Sequence, residues 1–463
     1  MTSLGRILRG EGSITRPAFL LAGLGLVVLK QGLDVTLAAT VFHRGWKAFN
    51  YWFPFDRVVA LDSLSGRNVA FLLALVALAL PFIWIGICLT LARLRDAAMP
   101  TWLVVFFFIP VCNALFFVFL CCAPTAKLAA EPHPEVAGRV RWMEFGIPRS
   151  AVGSAFAGAM LTLIVGLGLA WFSVNVLTSY GWGLFVGVPF AMGFVSVLIY
   201  CYHAPRNLLS CLGVACLSPL LLGLALLAYA MEGLICLLMA APLALILAGM
   251  GGAFAYFLQY WRRQSAAAPA MMGALLLALP LGMTLERWAG PQPPVFAVTT
   301  SVEVDAPPEV VWPNVIAFAE LPPPRELLFR AGIAYPLRAE ITGTGPGAVR
   351  HCVFSTGSFV EPIQVWDAPR LLKFSVDSNP PPLEEWTPYE RVAPPHLRGF
   401  LVSQGGQFRL VPLPGGRTLL EGTTWYRHTM WPACYWRLWS DYLIHQIHLR
   451  VLRYIAARST AQR

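Results

Sequence analysis

Charged residues are scarce in this chain of 463 residues. Asp, Glu, Lys and Arg together make up 13% of it, whereas a soluble domain usually carries about 25%. Hydrophobic residues make up 57%, and the mean hydropathy is +0.63. This composition excludes a soluble enzyme over the whole length and a disordered chain, and it predicts that most of the chain lies in lipid.

The chain also lacks a cysteine framework and the short motifs of common catalytic sites. Its ten cysteines include no CxxC pair and no regular spacing, which indicates small buried residues rather than disulfides. There is no GxSxG and no HExxH, and the glycine-rich stretch 343–347 lacks the Lys-Ser/Thr pair of a phosphate-binding loop. We therefore name no catalytic residue and expect no cofactor and no metal.

The excess of positive charge is unevenly divided along the chain. Residues 1–290 carry a net charge of +8 and residues 291–463 carry +2, which together give the +10 of the whole. Basic residues in loops beside apolar segments set membrane topology and meet anionic lipid. The charge thus predicts a bilayer partner and no nucleic-acid partner.

Apolar runs long enough to cross a bilayer core of about 30 Å recur through the first 290 residues. Between the third and fourth runs lies a polar connector at 125–150. About eight spans are expected, at 17–42, 69–91, 102–122, 151–177, 182–202, 208–230, 234–258 and 270–285.

The orientation of these spans has two solutions. With eight spans, five basic residues share a side with both termini and eleven lie opposite, so the termini would be outside. A hairpin third segment, broken near Pro110 and Asn113, would instead gather most basic residues inside and export the C-terminal part. The side of the C-terminal part stays open, as does the oligomeric state.

The composition of the chain changes after residue 290, where a stiff Pro291-Gln292-Pro293-Pro294 linker begins. A strand at 295–305, a short helix, and strands at 338–342, 348–356, 359–366, 371–377, 406–413 and 418–428 precede a long helix at 431–457. This is the order of an α+β helix-grip domain. Four parts are therefore expected: a three-span membrane domain at 1–124, the connector, a second membrane domain of about five spans at 151–290, and a soluble domain at 291–463.

The first part resembles a bacterial inner-membrane family of unknown function, DUF805. The resemblance rests on Gly12-Ser13-Ile14-Thr15-Arg16 with Phe19, and on Arg93-Leu94-Arg95-Asp96 with Trp102, Pro110 and Asn113. The family usually has His where this chain has Arg95. The resemblance implies a multi-pass protein of the bacterial inner membrane. It also draws attention to a polar cluster of Arg16, Arg93, Arg95 and Asp96, which could bind lipid headgroups or simply fix topology.

The part at 296–457 resembles the START-like superfamily, also called SRPBCC or polyketide cyclase-like. The resemblance rests on the run Val302-Glu303-Val304-Asp305-Ala306-Pro307-Pro308-Glu309-Val310-Val311-Trp312 and on the order of elements. It implies an apolar ligand, such as a lipid, sterol or polyketide, held between the sheet and the last helix.

Strand alternation predicts which side chains face that ligand. Cys352 and Phe354 share an apolar phase, as do Phe359, Ile363 and Val365, and Glu361 falls on the phase of the second group. There Glu361 would have a raised pKa, or it would be an edge residue bonded to an Arg such as Arg350. We predict a ligand-binding set of Phe354, Phe359, Glu361, Thr424, Tyr426, Tyr435, Trp439 and His445.

These features predict a membrane-anchored protein that binds, senses or transfers a hydrophobic molecule such as a lipid or isoprenoid. One alternative is a polyketide cyclase-like enzyme in which Glu361 and His445 meet a common substrate. Another is a regulated transporter or envelope-assembly factor.

Overall fold

The computed structural model describes residues 3–8, 11–46, 66–97, 99–108, 112–123, 125, 146–261, 268–290, 292–389 and 394–462. Helices fill the first part of this range, as the apolar runs predict. They are α1 (Ser3–Leu8), α2 (Arg16–Thr40), α3 (Gly66–Asp96), α4 (Cys112–Cys122), α5 (Ala151–Trp171), α6 (Val188–Tyr200), α7 (Leu208–Ala228), α8 (Leu234–Trp261) and α9 (Ala268–Ala289). Short π-helical turns extend α5 at Phe172–Val176 and precede α6 at Gly183–Gly187.

Six helices of the described part are long and apolar enough to cross a membrane. They coincide with six of the eight expected spans, and the eighth expected span is helical as part of α9. The candidate spans are Arg16–Thr40, Val69–Asp96, Ala151–Val176, Gly183–Tyr200, Leu208–Ala228 and Leu234–Gln259.

The third expected span, 102–122, is not one helix. Its described residues form a 3-10 helix, Thr101–Phe108, and then α4, and residues 109–111 lie outside the described part. At about 2.0 Å per residue for the first piece and 1.5 Å for the second, each covers roughly half of a 30 Å bilayer core.

Both ends of this broken segment meet the same end of α3. The Arg93 guanidinium in the last turn of α3 donates to the carbonyl oxygens of Leu120 (2.9 Å) and Ala123 and pairs with Asp96. The Thr125 hydroxyl also donates to the Asp96 carboxylate, at 2.8 Å. Segment 101–123 therefore enters and leaves at one side, as a re-entrant hairpin.

Helices α6 and α8 approach each other backbone to backbone. A Cβ on Gly193 would collide with the carbonyl of Ala248, and one on Gly251 with the carbonyl of Phe190. Small residues permit such close packing in lipid, where the hydrophobic effect does not hold helices together.

The C-terminal part forms one antiparallel sheet of seven strands in the order β1-β7-β6-β5-β4-β3-β2. The strands are β1 (Phe296–Val304), β2 (Pro336–Thr342), β3 (Val349–Phe354), β4 (Gly357–Asp367), β5 (Leu371–Ser375), β6 (Leu401–Leu413) and β7 (Arg417–His428). Short helices α10 (Pro308–Ile316) and α11 (Leu327–Arg330) follow β1, and the long helix α12 (Ala433–Ala461) ends the domain.

Helix α12 packs chiefly on β1, with further contacts to α10 and β7. The core between them joins Val304, Leu420, Leu452 and Ile455, all at most 1% exposed. A sheet and a helix, each with one apolar face, are stable when those faces are buried together. The predicted fold class, a multi-pass helical membrane protein with a C-terminal helix-grip domain, is confirmed.

The chain forms two compact units. The first comprises Met1–Gly168, Pro189–Met231 and Ala244–Leu277. The second comprises Leu169–Val188, Glu232–Leu243 and Ala278–Arg463, so it joins the sheet domain to one end of several apolar helices. The division into four parts at 124, 150 and 290 follows composition and stays a prediction.

Candidate functional site

The inner face of the sheet is the face that meets α12 and α10. Its residues alternate along each strand, and strand pairing aligns Arg350 with Glu361 and Cys352 with Phe359. Five of the eight predicted ligand-binding residues lie on this face: Phe354, Phe359, Glu361, Thr424 and Tyr426.

One strand changes phase where the sequence predicted none. The β4 ladder shifts register between Ile363 and Val365. Ile363 is buried as expected, whereas Val365 is 37% exposed and Trp366 instead packs in the core against Trp312. A β-bulge moves the following residues to the other face, so simple alternation gave the wrong side for Val365.

Arg350 and Glu361 form an ion pair inside the domain. The guanidinium is 2% exposed and the carboxylate residue 6%, and Arg350 Nε also donates to the carbonyl of Ile316 at 3.1 Å. Three aromatic rings surround the cation, with centres 5.5–5.7 Å from its central carbon. They belong to Phe318, Phe374 and Phe408.

Burial has the largest effect on the Glu361 carboxyl of this pair. It raises the pKa of the Glu361 carboxyl above its ordinary value, and Arg350 opposes that shift. Burial also raises the pKa of the neighbouring Cys352 thiol to about 12, so Cys352 is protonated at neutral pH. The two sequence alternatives for Glu361 both hold in part, because it faces the interior and also bonds to Arg350, although β4 is not an edge strand.

A second polar group joins α12 to the sheet. His445 Nδ1 and His448 Nδ1 lie 2.8 Å and 3.1 Å from the hydroxyl of Thr300 on β1, and His448 Nε2 lies 2.8 Å from the hydroxyl of Thr424 on β7. A neutral imidazole can donate through one nitrogen and accept at the other, so His448 satisfies both threonines without a charge. Sequence reasoning named His445 and Thr424 but missed Thr300, whose inward phase on β1 was the available signal.

The charge state of His448 predicts a pH dependence of stability. Burial lowers its pKa from 6.5 to about 4, and His445 adds to the shift. A histidine with a lowered pKa in the folded state contributes stability that is complete above about pH 6.5 and is lost as the pH falls toward 4, because only the unfolded chain takes up the proton. We expect a loss on the order of 2–3 kcal/mol across that window.

The measurement is the apparent melting temperature of the full chain in detergent between about pH 7 and pH 4. His448→Gln, which keeps a hydrogen-bonding group but cannot titrate, should fall less steeply than the parent protein. Equal slopes for the two proteins would contradict a buried neutral His448.

Tyr426 fastens α12 to β7. It is fully buried, its hydroxyl donates to the Asp441 carboxylate and lies 2.8 Å from the Ser440 hydroxyl, and burial raises its pKa. Asp441 also accepts from Arg437 at 3.0 Å. The Tyr426 hydroxyl therefore already has partners within the protein, and its ring is packed in a buried cluster with Val298 and Ile444.

The remaining predicted ligand residues lie on α12. The Tyr435 hydroxyl donates to the carbonyl of Met239 in α8, so its polar end points away from the sheet. Trp439 is half-buried. The ligand-binding role of all eight residues stays a prediction.

The N-terminal polar cluster forms in part. Arg93 and Asp96 pair at the end of α3, and Arg95 donates to the carbonyl of Gly12 at 2.8 Å, while Arg16 begins α2 with an exposed side chain. Because Arg93 is fully buried and bonds to carbonyls at the end of α4, its contacts hold the re-entrant hairpin. This favours the structural interpretation of Arg93 over headgroup binding.

Comparison with known protein families gives one match. A family model described as "Protein of unknown function (DUF805)" matches residues 7–131, which confirms the resemblance expected for the N-terminal part. A search of curated proteins finds no match.

Solved structures match the C-terminal region. A norcoclaurine synthase point mutant from Thalictrum flavum is 12% identical, over 37% of this chain and 98% of that one, with a TM-score of 0.25. The Zhui aromatase/cyclase from Streptomyces sp. R1128 is 15% identical over 36% and 96%, with a TM-score of 0.23. TTHA0849 from Thermus thermophilus is 16% identical over 36% and 99%, with a TM-score of 0.21.

Proposed function

We propose that the helix-grip domain binds a hydrophobic molecule, such as a lipid or isoprenoid, against the inner face of the sheet. A row of aromatic rings on the inner face of β3 to β6 supports this proposal. Phe354 and Phe359 form an edge-on pair with ring centres 4.8 Å apart, and Phe374 and Phe408 form a tilted pair at 6.2 Å.

Accessibility within this row supports a binding surface. Phe354, Phe359 and Phe408 are only half-buried, whereas the inner-face residues Leu372 and Leu420 are fully buried. Helix α12 packs chiefly on β1, four strands away from β4 in the sheet order. An apolar molecule that covered the accessible parts of these three half-buried rings would remove apolar surface from water. The free energy gained is about 25 cal/mol per Å² of that surface.

The polar groups beneath the row favour a particular kind of ligand. Arg350 and Glu361 compensate each other's charge, so the inner face offers no net charge to an ion at this point. Binding sites for small molecules are typically apolar with a few fixed polar groups. The preferred ligand is therefore an extended apolar molecule with at most one neutral or weakly polar end.

Native mass spectrometry of the detergent-purified full chain, with oleyl alcohol added as an uncharged probe, tests the proposal. Phe359→Ala removes a half-buried ring from the inner face and should lower the bound fraction about tenfold, which corresponds to roughly 1.4 kcal/mol. Val365→Ala is the matched control, because it lies on the same strand but on the outer face, and it should bind as the parent does. Equal occupancy in the two variants, or no binding by the parent protein, would contradict the proposal.

An enzyme that uses Glu361 and His445 together is not favoured. Glu361 pairs with Arg350 on the neighbouring strand β3, whereas His445 bonds to Thr300 on β1, the first strand of the sheet order. General acid–base catalysis needs both groups within hydrogen-bonding reach of one substrate atom or its neighbours. Their present partners instead hold them to separate strands.

We also propose that the protein lies in the bacterial inner membrane with its C-terminal domain on the outer side. The re-entrant hairpin at 101–123 removes one crossing from the eight that the sequence predicted. The six candidate spans together with α9 then make seven crossings, so we expect the N-terminus and the C-terminal domain on opposite sides of the membrane.

Contacts at the helix ends support this alternation. The Glu286 carboxylate at the end of α9 accepts from the backbone N–H groups of Trp182 (2.7 Å) and Gly183 (3.1 Å), just before α6. Arg287 Nε donates to the carbonyl of Leu177 after α5, at 3.0 Å. The ends of α5 and α9 and the start of α6 therefore share a side, as alternate crossings require.

A further inference from the structure

A cluster of metal-ligating side chains lies apart from the inner face of the sheet. Cys236 is in the first turn of α8, Glu385 is in the long segment between β5 and β6, and His396 is in the 3-10 turn Pro395–Leu397. One ligand atom from each of these residues lies within 4.8 Å of the other two, and Cys236 Sγ is 2.9 Å from His396 Nε2. All three belong to the second compact unit.

The far side of the His396 ring is held by two further residues. Its Nδ1 lies 3.2 Å from the Tyr180 hydroxyl and 3.4 Å from Glu232 Oε2, and that hydroxyl donates to Glu232 Oε1 at 3.0 Å. A carboxylate near Nδ1 favours the tautomer with the proton on that nitrogen, which leaves the Nε2 lone pair directed at Cys236. Histidines that bind metals are oriented in this way.

The charges of the cluster are unbalanced. Glu232, Glu385 and Cys236 contribute two carboxylates and a thiol, and His396 is the basic group described among them. Glu385 and His396 are at most 9% exposed, and Glu232 Oε2 is buried and accepts no hydrogen bond from any described residue. Buried carboxylates are stable when they are paired or coordinate a metal, so a divalent cation would supply the missing positive charge.

The Glu385 carboxylate lies close to the backbone at the start of α8. Its carboxylate accepts the N–H groups of Ile235 (3.0 Å) and Cys236 (3.1 Å) at the start of α8. A Cβ on Gly233 would collide with that carboxylate, so a glycine is needed here. Glu385 is thereby fixed beside the thiol and the imidazole.

A nucleophilic site would need a different arrangement. The order Cys236, His396, Glu232 matches a thiol, its base and the orienting carboxylate. An acyl-transfer site also needs free N–H donors for the oxyanion, yet the two N–H groups at the start of α8 are occupied by Glu385. The contacts therefore favour a metal over a nucleophile.

We propose that Cys236, Glu385 and His396 bind one divalent metal ion of the zinc class, with Glu232 and Tyr180 as positioning residues. A thiolate, an imidazole and a carboxylate are the ligands that zinc takes in proteins, and three of them leave a fourth position for water or an exogenous ligand. In a tetrahedral site the sulfur and nitrogen atoms are about 3.5 Å apart. The present 2.9 Å must therefore open slightly, within the reach of side-chain rotation.

Cobalt titration of the full chain in detergent, after chelator treatment, tests the site. The parent protein should bind one Co²⁺ per chain with a thiolate-to-cobalt absorption band in the near ultraviolet, and Zn²⁺ should displace it. Cys236→Ser and His396→Ala should lose the band. Cys434→Ser, an exposed cysteine in α12, is the matched control and should keep it.

Changing the positioning residue Glu232 should weaken the metal site without abolishing it. Glu232→Gln should weaken cobalt affinity by about 10- to 100-fold, because it removes the carboxylate that orients His396. The absence of a thiolate-to-cobalt band in the parent protein would overturn the site. A band that persists in Cys236→Ser would also overturn it. Fast alkylation of Cys236 that depends on His396, without cobalt binding, would also overturn it and assign a nucleophile instead.

Discussion

A reporter enzyme fused after residue 463 is expected to be active on the outer side of the bacterial inner membrane. With seven crossings, we expect twelve basic residues of the membrane part on the side of the N-terminus and five, including Arg287 at the end of α9, on the side of the C-terminal domain. The side with the excess of Lys and Arg stays in the cytoplasm. The re-entrant hairpin held by Arg93 makes the number of crossings odd. It thereby moves the excess of basic residues to the side of the N-terminus.

The experiment uses two reporters at the same C-terminal position. Alkaline phosphatase, which needs the oxidising outer compartment, should be highly active, and a green fluorescent protein exported through the same route should be dark. The same pair placed in connector 126–145 is the control and should give the opposite result. Phosphatase activity at the connector and fluorescence at the C-terminus would contradict the seven-crossing topology.

The sequence predicted the C-terminal fold well because its signals are local. The strands expected at 406–413 and 418–428 are Leu401–Leu413 and Arg417–His428 in the structure. The last helix was expected at 431–457 and is Ala433–Ala461, a difference of a few residues at each end. Strand alternation gave the inner face up to Ile363 and gave the wrong side for Val365, because a bulge in the β4 ladder is not encoded in residue polarity.

Tertiary contacts account for what the sequence left open. Hydropathy counts apolar residues, so 102–122 resembled a span, whereas the bonds from Arg93 to Leu120 and Ala123 that fold it back are set by packing. The proposed metal ligands Cys236, Glu385 and His396 are separated by up to 160 residues, so no spacing motif joins them. The prediction of no metal site relied on sequence motifs alone, and these three residues form no such motif.

Photolabelling can show whether the inner face of the sheet holds an apolar ligand, as we propose. A long-chain fatty alcohol with a diazirine near its methyl end would be bound to the full chain in detergent and irradiated, and the labelled residues would be located by peptide mass spectrometry. We expect labels on Phe354, Phe359 and their neighbours in β3 and β4, and we expect unlabelled oleyl alcohol to suppress them. Labels confined to the membrane helices at saturating probe, with none on β3 to β6, would contradict the proposal.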